Sequence, residues 1–382
     1  MARGQTLYYY WSKFQPARLT AGRELRGLTK KALAGRINKT AGAITQFEAN
    51  TSGLDIQTFE SIVNALNLPP AFFALQDGTG IELGSCHFRA NIDVSQLVRK
   101  EAKGYAERVM DIFNVLDKMG VQFPEVSIVT TEISSLLSAK EIDYIASETR
   151  KSWGLGLGPI DNMAQLLESK GIFIVLLPDK YKGIDAFSVW AGDERPCIGA
   201  VASSNASRLQ FDFGHELAHL LFHRYVPTGL KETERVANAF SGAFLMPSGT
   251  FGRYCPAIWN ERAFLDVKKE WFVSMQAAMY RARELGRLSE SSHRRGMIYL
   301  RGKGLHINEP GEFARPYPSM LAEALNLVVG EISLTELAEE IGLGIEEFEQ
   351  MLQTQQVPQE LINKFKPNKP KAKILKFVPP SS

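Results

Sequence analysis

One stretch constrains this chain more than any other: Phe211-Asp212-Phe213-Gly214-His215-Glu216-Leu217-Ala218-His219-Leu220-Leu221-Phe222-His223. Read as a helix, it sets His215 and His219 one turn apart on one face, the geometry in which two imidazoles can share a tetrahedral metal ion. Glu216 falls roughly 100° round the helix from His215, beside such an ion and not on it, where a general base acting on water belongs. Phe213, Leu217, Leu220 and Leu221 lie on the opposite side and give the helix an apolar face to bury. His223, roughly 80° from His215, suits a hydrogen-bonding or capping role at the helix end better than that of a ligand.

The next segment supplies a third ligand. Pro227 and Gly229 interrupt the helix, and a second one starts near Glu232-Thr233-Glu234 and runs to Met246-Pro247. Along it Glu234, Ala237, Asn238, Ser241 and Gly242 form a stripe of small and polar side chains at helical spacing, so this helix can approach the first closely. Glu234 heads the stripe, 15 residues beyond His219, and can point at the metal. Glu232 lies towards the Val236, Phe240, Ala243 and Phe244 side and reads as a first-turn acid favoured by the helix dipole. With His215, His219 and Glu234 as ligands, the fourth position stays open, as a catalytic zinc requires.

Arg208-(x6)-His215-Glu216-Leu217-Ala218-His219-Leu220-Leu221-Phe222-His223, then Glu234-(x2)-Ala237-Asn238-(x)-Phe240 and Leu245-Met246-Pro247, resemble the ImmA/IrrE family of bacterial metallopeptidases over about residues 135–250. The resemblance implies zinc as cofactor, His215, His219 and Glu234 as its ligands, Glu216 as the catalytic base, and a protein substrate, often a repressor.

A chain of 382 residues exceeds one ordinary core and implies two or three domains. Its three cysteines, Cys86, Cys197 and Cys255, have no paired spacing, which suits reduced thiols in the cytoplasm. No run of 18 apolar residues occurs, so neither a membrane span nor a membrane partner is expected.

The amino end has a different character. Residues 1–50 hold nine Lys or Arg against two acids, a local surplus of +7. Such a surplus fits a solvated basic face or a nucleic-acid footprint, and the helical pattern favours the second. Arg18 to Arg26 forms a first helix, Thr29 caps a second over Lys30 to Ile37, and Thr40 caps a third over Ala41 to Ala49 after a tight turn at Asn38-Lys39. That is a helix-turn-helix with its third helix as the groove reader. Gly27-Leu28-Thr29-(x3)-Leu33-Ala34-(x5)-Thr40-(x3)-Ile44-Thr45-Gln46-Phe47-Glu48, continued by Leu54-Asp55-(x3)-Phe59-(x2)-Ile62-(x2)-Ala65-Leu66-Asn67-Leu68-Pro69, resembles the XRE, or Cro-like repressor, family. Lys30 stands where that family often has Gln, and Asn38-Lys39 where it usually has Gly and an aliphatic residue. Thr40, Ala41, Ala43, Thr45 and Gln46 are left to face duplex DNA. Gln46 is the one suited to a bidentate base contact, while Lys30, Lys31, Arg36 and Lys39 suit phosphates.

Between these regions, Val98 to Met119 and Ile142 to Trp153 have helical spacing, as does Asp161 to Ser169. Gly171 to Leu177, Ala186 to Trp190 and Pro196 to Val201 read as buried strands, the last two joined by a turn at Gly192-Asp193-Glu194-Arg195. The Gly154-Leu155-Gly156-Leu157-Gly158-Pro159 run is a loop; it follows a helix, unlike a phosphate-binding loop. An edge of the small sheet can pair with an extended peptide. Beyond residue 256, Val273 to Leu288 and Tyr317 to Val328 are amphipathic. Ser333 to Leu343 with Ile345 to Leu352 imitates a second helix-turn-helix, but Glu331 to Glu349 carries seven acids and no Lys or Arg and would repel a phosphate backbone. Lys364 to Lys376 has six lysines and is expected to be a disordered basic tail.

The expected architecture is mainly α with a small β-sheet. A five-helix helix-turn-helix domain occupies 1–80, a helical linker 81–130, a zincin-like α+β metallopeptidase domain 131–255, a helical domain 256–360 and the basic tail 361–382. The expected function is a cytoplasmic DNA-binding transcriptional regulator with a zinc endopeptidase that cleaves a repressor or similar protein; a homodimer is compatible with this. A regulator whose peptidase-like domain senses a ligand or metal without cleavage is the alternative, and a partner-dependent antitoxin-like binding protein a third.

Overall fold

In a computed structural model, residues 3–75, 87–90, 94–128, 130, 137–191, 195–224, 226 and 230–366 are described. Cys86, Pro227, Gly229, the turn at 192–194 and the lysine-rich end beyond Lys366 lie outside the described residues.

The amino-terminal helices are α1 (Arg3–Trp11), α2 (Pro16–Leu25), α3 (Lys30–Arg36), α4 (Ala41–Glu48) and α5 (Ile56–Leu66), followed by a 3₁₀ turn over Pro70–Ala74. Both expected caps are present: Thr29 Oγ1 accepts from Ala32 N and Thr40 Oγ1 from Ala43 N, each at 3.1 Å. Asn38 occupies the turn with φ 54°, a left-handed conformation that asparagine tolerates better than other side chains bearing Cβ, so it can replace the usual glycine. The helix α1 was not anticipated from sequence. It is tied down by Trp11, whose Nε1 donates to the Leu54 carbonyl at 2.7 Å. In the 3₁₀ turn Phe72 and Phe73 are fully buried.

Next come β1 (His87–Ala90), α6 (Gln96–Lys118), α7 (Ala139–Ser152), α8 (Met163–Glu168), β2 (Phe173–Leu177), β3 (Ile184–Ala191), β4 (Arg195–Val201), α9 (Ala206–Phe222) and α10 (Lys231–Leu245). The strands form one sheet in the order β1-β3-β4-β2, parallel between β2 and β4 and antiparallel elsewhere. Of the three anticipated strands β3 and β4 are central and β2 forms one edge, and β1 adds a fourth at the other.

Both sheet faces are covered, which is why β2 reads as an unbroken apolar run. Phe173, Val175, Phe187 and Val189 belong to a core that includes α6 and the amino-terminal helices. Ile174, Ala186, Ile198 and Ala200 belong to a second core built around α9 and α10. Helix α6 lies close against α2: a Cβ at Gly104 would come within 3.2 Å of the Leu25 backbone.

The remaining helices divide between the two cores. α11 (Ser248–Tyr254), α12 (Glu261–Trp271), α13 (Met275–Glu284) and α14 (Glu290–Gly302) contribute Phe251, Phe264, Met279 and Leu300 to the α9/α10 core. The helix expected over Val273 to Leu288 is shorter, because Phe272 turns left-handed and Ser274 caps α13. α15 (Met320–Leu327), α16 (Leu334–Glu340), α17 (Ile345–Thr354) and α18 (Gln359–Lys364) add Leu325, Leu337, Phe348 and Ile362 to the other core. The acidic segment thus folds back onto the basic amino end, with Arg26 Nη1 2.6 Å from Glu347 Oε1.

Two buried side chains organise the connections. Arg150 on α7 donates to the Phe244, Gly156 and Gly158 carbonyls at 2.6–2.7 Å. The glycine run is therefore a collar of carbonyls round a guanidinium, electrostatically the reverse of a phosphate cradle. Glu168, 4% exposed, accepts from Ser319 N at 2.7 Å and Met320 N at 3.1 Å.

Burial raises the Glu168 carboxyl to about 7, outweighing those two hydrogen bonds. Because the folded value lies above the unfolded one, this contribution to stability is full below pH ~4.5 and is lost as pH rises through ~7, on the order of 3 kcal/mol in all. Urea titrations at pH 5 and pH 8 should show Glu168→Gln gaining stability relative to the parent as pH rises. A difference that stays constant would dismiss the effect.

Candidate metal centre and nucleic-acid interface

Helix α9 is buried along nearly its whole length, and α10 packs along it because the facing positions are small. A Cβ at Gly214 would lie 2.6 Å from Ser241 Oγ, and Ser241 Oγ instead donates to the Phe211 carbonyl at 2.8 Å. The stripe on α10 thus has its counterpart on α9 in a single glycine. Arg208, about two turns before His215, fixes the start of α9 against the sheet: its Nη2 is 2.5 Å from Asp185 Oδ2 and its Nε 3.7 Å from Asp212 Oδ2.

This packing brings His215, His219 and Glu234 together as a group that can hold a metal ion. The two imidazole Nε2 atoms are 3.1 Å apart, His215 Nε2 is 3.2 Å from Glu234 Oε2, and His219 Nε2 is 3.4 Å from Glu234 Oε1. A tetrahedral ion with bonds of ~2.0–2.1 Å needs ligand atoms ~3.3 Å apart, so the triangle has the right edges. Orientation is fixed from behind. Asn238 Oδ1, which can only accept, lies 3.1 Å from His215 Nδ1 and so places the proton there, leaving the Nε2 lone pair for the ion. His223 Nδ1 is 3.0 Å from His219 Nδ1 and steadies the second ring.

Burial by itself would raise the Glu234 carboxyl, but its hydrogen bonds with His215 and His219 prevail and hold it well below the usual carboxylate range. It is an anion between two imidazoles, the charge state a cation site requires. Glu232 turns away and pairs with Arg235 at 2.9 Å.

Glu216 is fully buried, and Ser188 Oγ on β3 donates to its Oε2 at 2.6 Å. Ser188 was not singled out from sequence; a serine 28 residues upstream on a strand carries no local signal. Asn238 appeared in the small-residue stripe and in the family-like motif but without a role, although its place one turn beyond Glu234 was the available clue. Beside the centre lies a cavity of about 800 Å³ whose wall includes Arg208, Phe211, Arg235, Asn238, Tyr280 and His306.

On the opposite side of the molecule's sequence map, the outer face of α4 presents Thr40, Ala41, Thr45 and Gln46, all exposed, with Ala43 half-buried. Lys31, Arg36 and Lys39 are exposed around it, and Arg36 Nη1 also donates to the Ala65 carbonyl at 3.1 Å. Lys30 is directed to Glu48, 3.2 Å away. Glu48 in turn receives Arg23 Nε at 2.6 Å, a buried pair that locks α4 to α2.

Residues 167–283 match the model of the IrrE N-terminal-like domain, a peptidase family, and residues 19–73 match a helix-turn-helix model. No curated protein matches the chain. A solved structure of Bacillus thuringiensis PlcR in complex with the peptide PapR7 and DNA aligns over 91% of this chain and 95% of that one, at 11% identity and a TM-score of 0.15. Among the described residues no helix is long and apolar enough to cross a membrane.

The ligand geometry separates two neighbouring acids by experiment. Metal analysis after dialysis should find about one divalent ion per chain in the parent and in Glu232→Ala, and little in Glu234→Ala. Full occupancy of the Glu234→Ala protein would overturn the ligand set.

Proposed function

For a chain that joins an XRE-type helix-turn-helix region to an IrrE-type peptidase domain, we propose a DNA-binding transcriptional regulator that carries a zinc-dependent endopeptidase and cleaves a regulatory protein such as a repressor. The observation that carries this reading is the His215, His219 and Glu234 triangle with Glu216 buried beside it. Residues 1–80 are the proposed reader of DNA and residues 131–255 the proposed hydrolytic part.

A zinc ion on that triangle would supply Lewis acidity towards the scissile carbonyl and towards water. The chain's own residues do the rest. Asn238 and His223 hold the two imidazoles in the tautomer and orientation that ligation needs. Glu216 takes the proton of the attacking water and passes it to the leaving amine, and Ser188 anchors its carboxylate during both transfers. At the amino end, Gln46 reads a base edge while Lys31, Arg36 and Lys39 meet phosphates.

A second reading, a regulator that senses a ligand without cleavage, is favoured by the cavity of about 800 Å³ whose wall includes Asn238, the partner of His215. Glu216 separates the two. Glu216→Gln keeps shape and metal ligands but removes the base, which is typically worth about 10²–10⁴-fold in rate. The variant should retain its metal and its operator binding yet fail to cut the partner protein or relieve repression of a reporter. Should it switch the reporter as well as the parent does, the sensor reading replaces the peptidase.

The DNA interface has its own test in the full-length protein. Lys31→Ala should weaken binding to all duplexes alike and flatten the salt dependence by roughly one counterion, whereas Gln46→Ala should cost ~1–3 kcal/mol at its preferred base and relax selectivity there. Electrophoretic shifts across a salt series that leave both variants equal to the parent would remove this interface.

A further inference from the structure

A sheet that serves peptide hydrolysis needs an edge at which an extended substrate can pair. Here the strand ends nearest the candidate site already have neighbours from the chain itself: β1 lies beyond β3, and a side chain caps part of β2. At the β2 edge the buried Gln355 side chain mimics a neighbouring strand, its Oε1 accepting from Leu176 N at 2.8 Å and its Nε2 donating to the Leu176 carbonyl at 2.7 Å. At the β3 edge lies β1, antiparallel, with His87 opposite Ser188, Phe88 opposite Phe187 and Arg89 opposite Ala186.

The β3 edge is the one that matters for chemistry. Ser188 is the residue whose hydroxyl holds Glu216, and Glu216 follows the ligand His215 directly on α9. Any peptide laid along β3 at this point runs past the general base. The place is taken by His87–Ala90, a backbone arriving from the region between the DNA-reading helices and α6.

We propose that β1 is an intramolecular occupant of the substrate edge: the chain's own segment 87–90 fills the place of an extended peptide on β3, and a trans peptide gains access when it replaces β1. The inference rests on the peptidase reading for which edge a substrate uses. Two features make β1 replaceable. It is four residues long, at the short end for a strand, and its pairing slips register between Arg89 and Ala90. The strands β2, β3 and β4 are themselves buried on both faces. The partner is therefore an extended, unstructured protein segment, recognised largely through its main chain, and its apparent affinity is lowered by the fraction of molecules in which β1 is seated.

The test uses the full-length, zinc-loaded protein and a fluorescent synthetic peptide spanning residues 85–92, with Cys86→Ser. In an antiparallel strand alternate N–H groups face the neighbour, so the double variant Phe88→Pro, Arg89→Pro removes at least one ladder bond whichever residue supplies it. Fluorescence anisotropy should show the peptide binding this variant roughly tenfold or more tightly than the parent, and backbone amides 184–188 should exchange hydrogen faster in the variant than in the parent. Phe88→Gly, Arg89→Gly, which weakens the strand without forbidding it, should fall between the two and serves if the proline variant fails to fold. Equal peptide binding by parent and variants, with metal content and circular dichroism unchanged, overturns the proposal. Tighter binding in the variants without cleavage by any of the proteins supports the occupied edge and counts against the peptidase reading instead.

Discussion

The closeness of α9 and α10 is the constraint on which the metal centre depends. Two histidines one turn apart define only a line of ligand atoms; a third ligand must come from another element, within ~3.3 Å of both. That proximity exists because Gly214 offers no side chain where Ser241 stands, and because Ser241 satisfies its hydroxyl on the Phe211 carbonyl and not across the gap. On the far side of α10, Val236, Phe240 and Phe244 are buried in the same core as Phe213 and Leu217 of α9, so apolar burial presses the two helices together. The hydrophobic cluster holds the two helices together, and His215 and His219 are buried in it while the Glu234 carboxylate stays partly exposed.

That triangle was the most legible part of the molecule. His215, Glu216 and His219 lie within five residues on one helix, and helical periodicity alone sets their relative directions. Glu234 and Glu232 are separated by the same periodicity, and their observed partners, imidazoles for one and Arg235 for the other, follow that division. The helix-turn-helix caps at Thr29 and Thr40 were equally readable, since a cap is a relation between residues three apart.

What the sequence did not reveal is what depends on distant pairing. Ser188 acquires its role only when β3 is laid against α9, and β1 becomes a strand only when it meets residues about a hundred positions later. Four residues in a glycine-rich neighbourhood give no periodic signal of their own. Gln355 caps a strand edge 179 residues earlier, and the carbonyl collar round Arg150 turned a puzzling glycine run into a binding surface for one guanidinium. The helix expected over Val273 to Leu288 formed over a shorter range for local reasons, the Ser274 cap at its start and the left-handed Gly286 beyond its end.

The strand β3 is where these threads join. Its alternate residues serve different cores: Phe187 and Val189 pack with the cluster that contains α6 and the amino-terminal helices, while Ala186 and Ser188 face α9. One backbone therefore touches Glu216 on one side and the core shared with the amino-terminal helices on the other. Packed cores shift between discrete arrangements more readily than they deform continuously. A change of neighbour at the edge of β3 that altered its seating would have to be accommodated on both faces at once, since Phe187 and Val189 are buried on one and Ser188 on the other. The physical connection between the candidate metal centre and the amino-terminal side is thus the sheet itself: Ser188 of β3 holds Glu216 on one face, Phe187 shares the opposite core with α6, and α6 packs on the sheet through Phe113 against Phe173 and on α2 at Gly104.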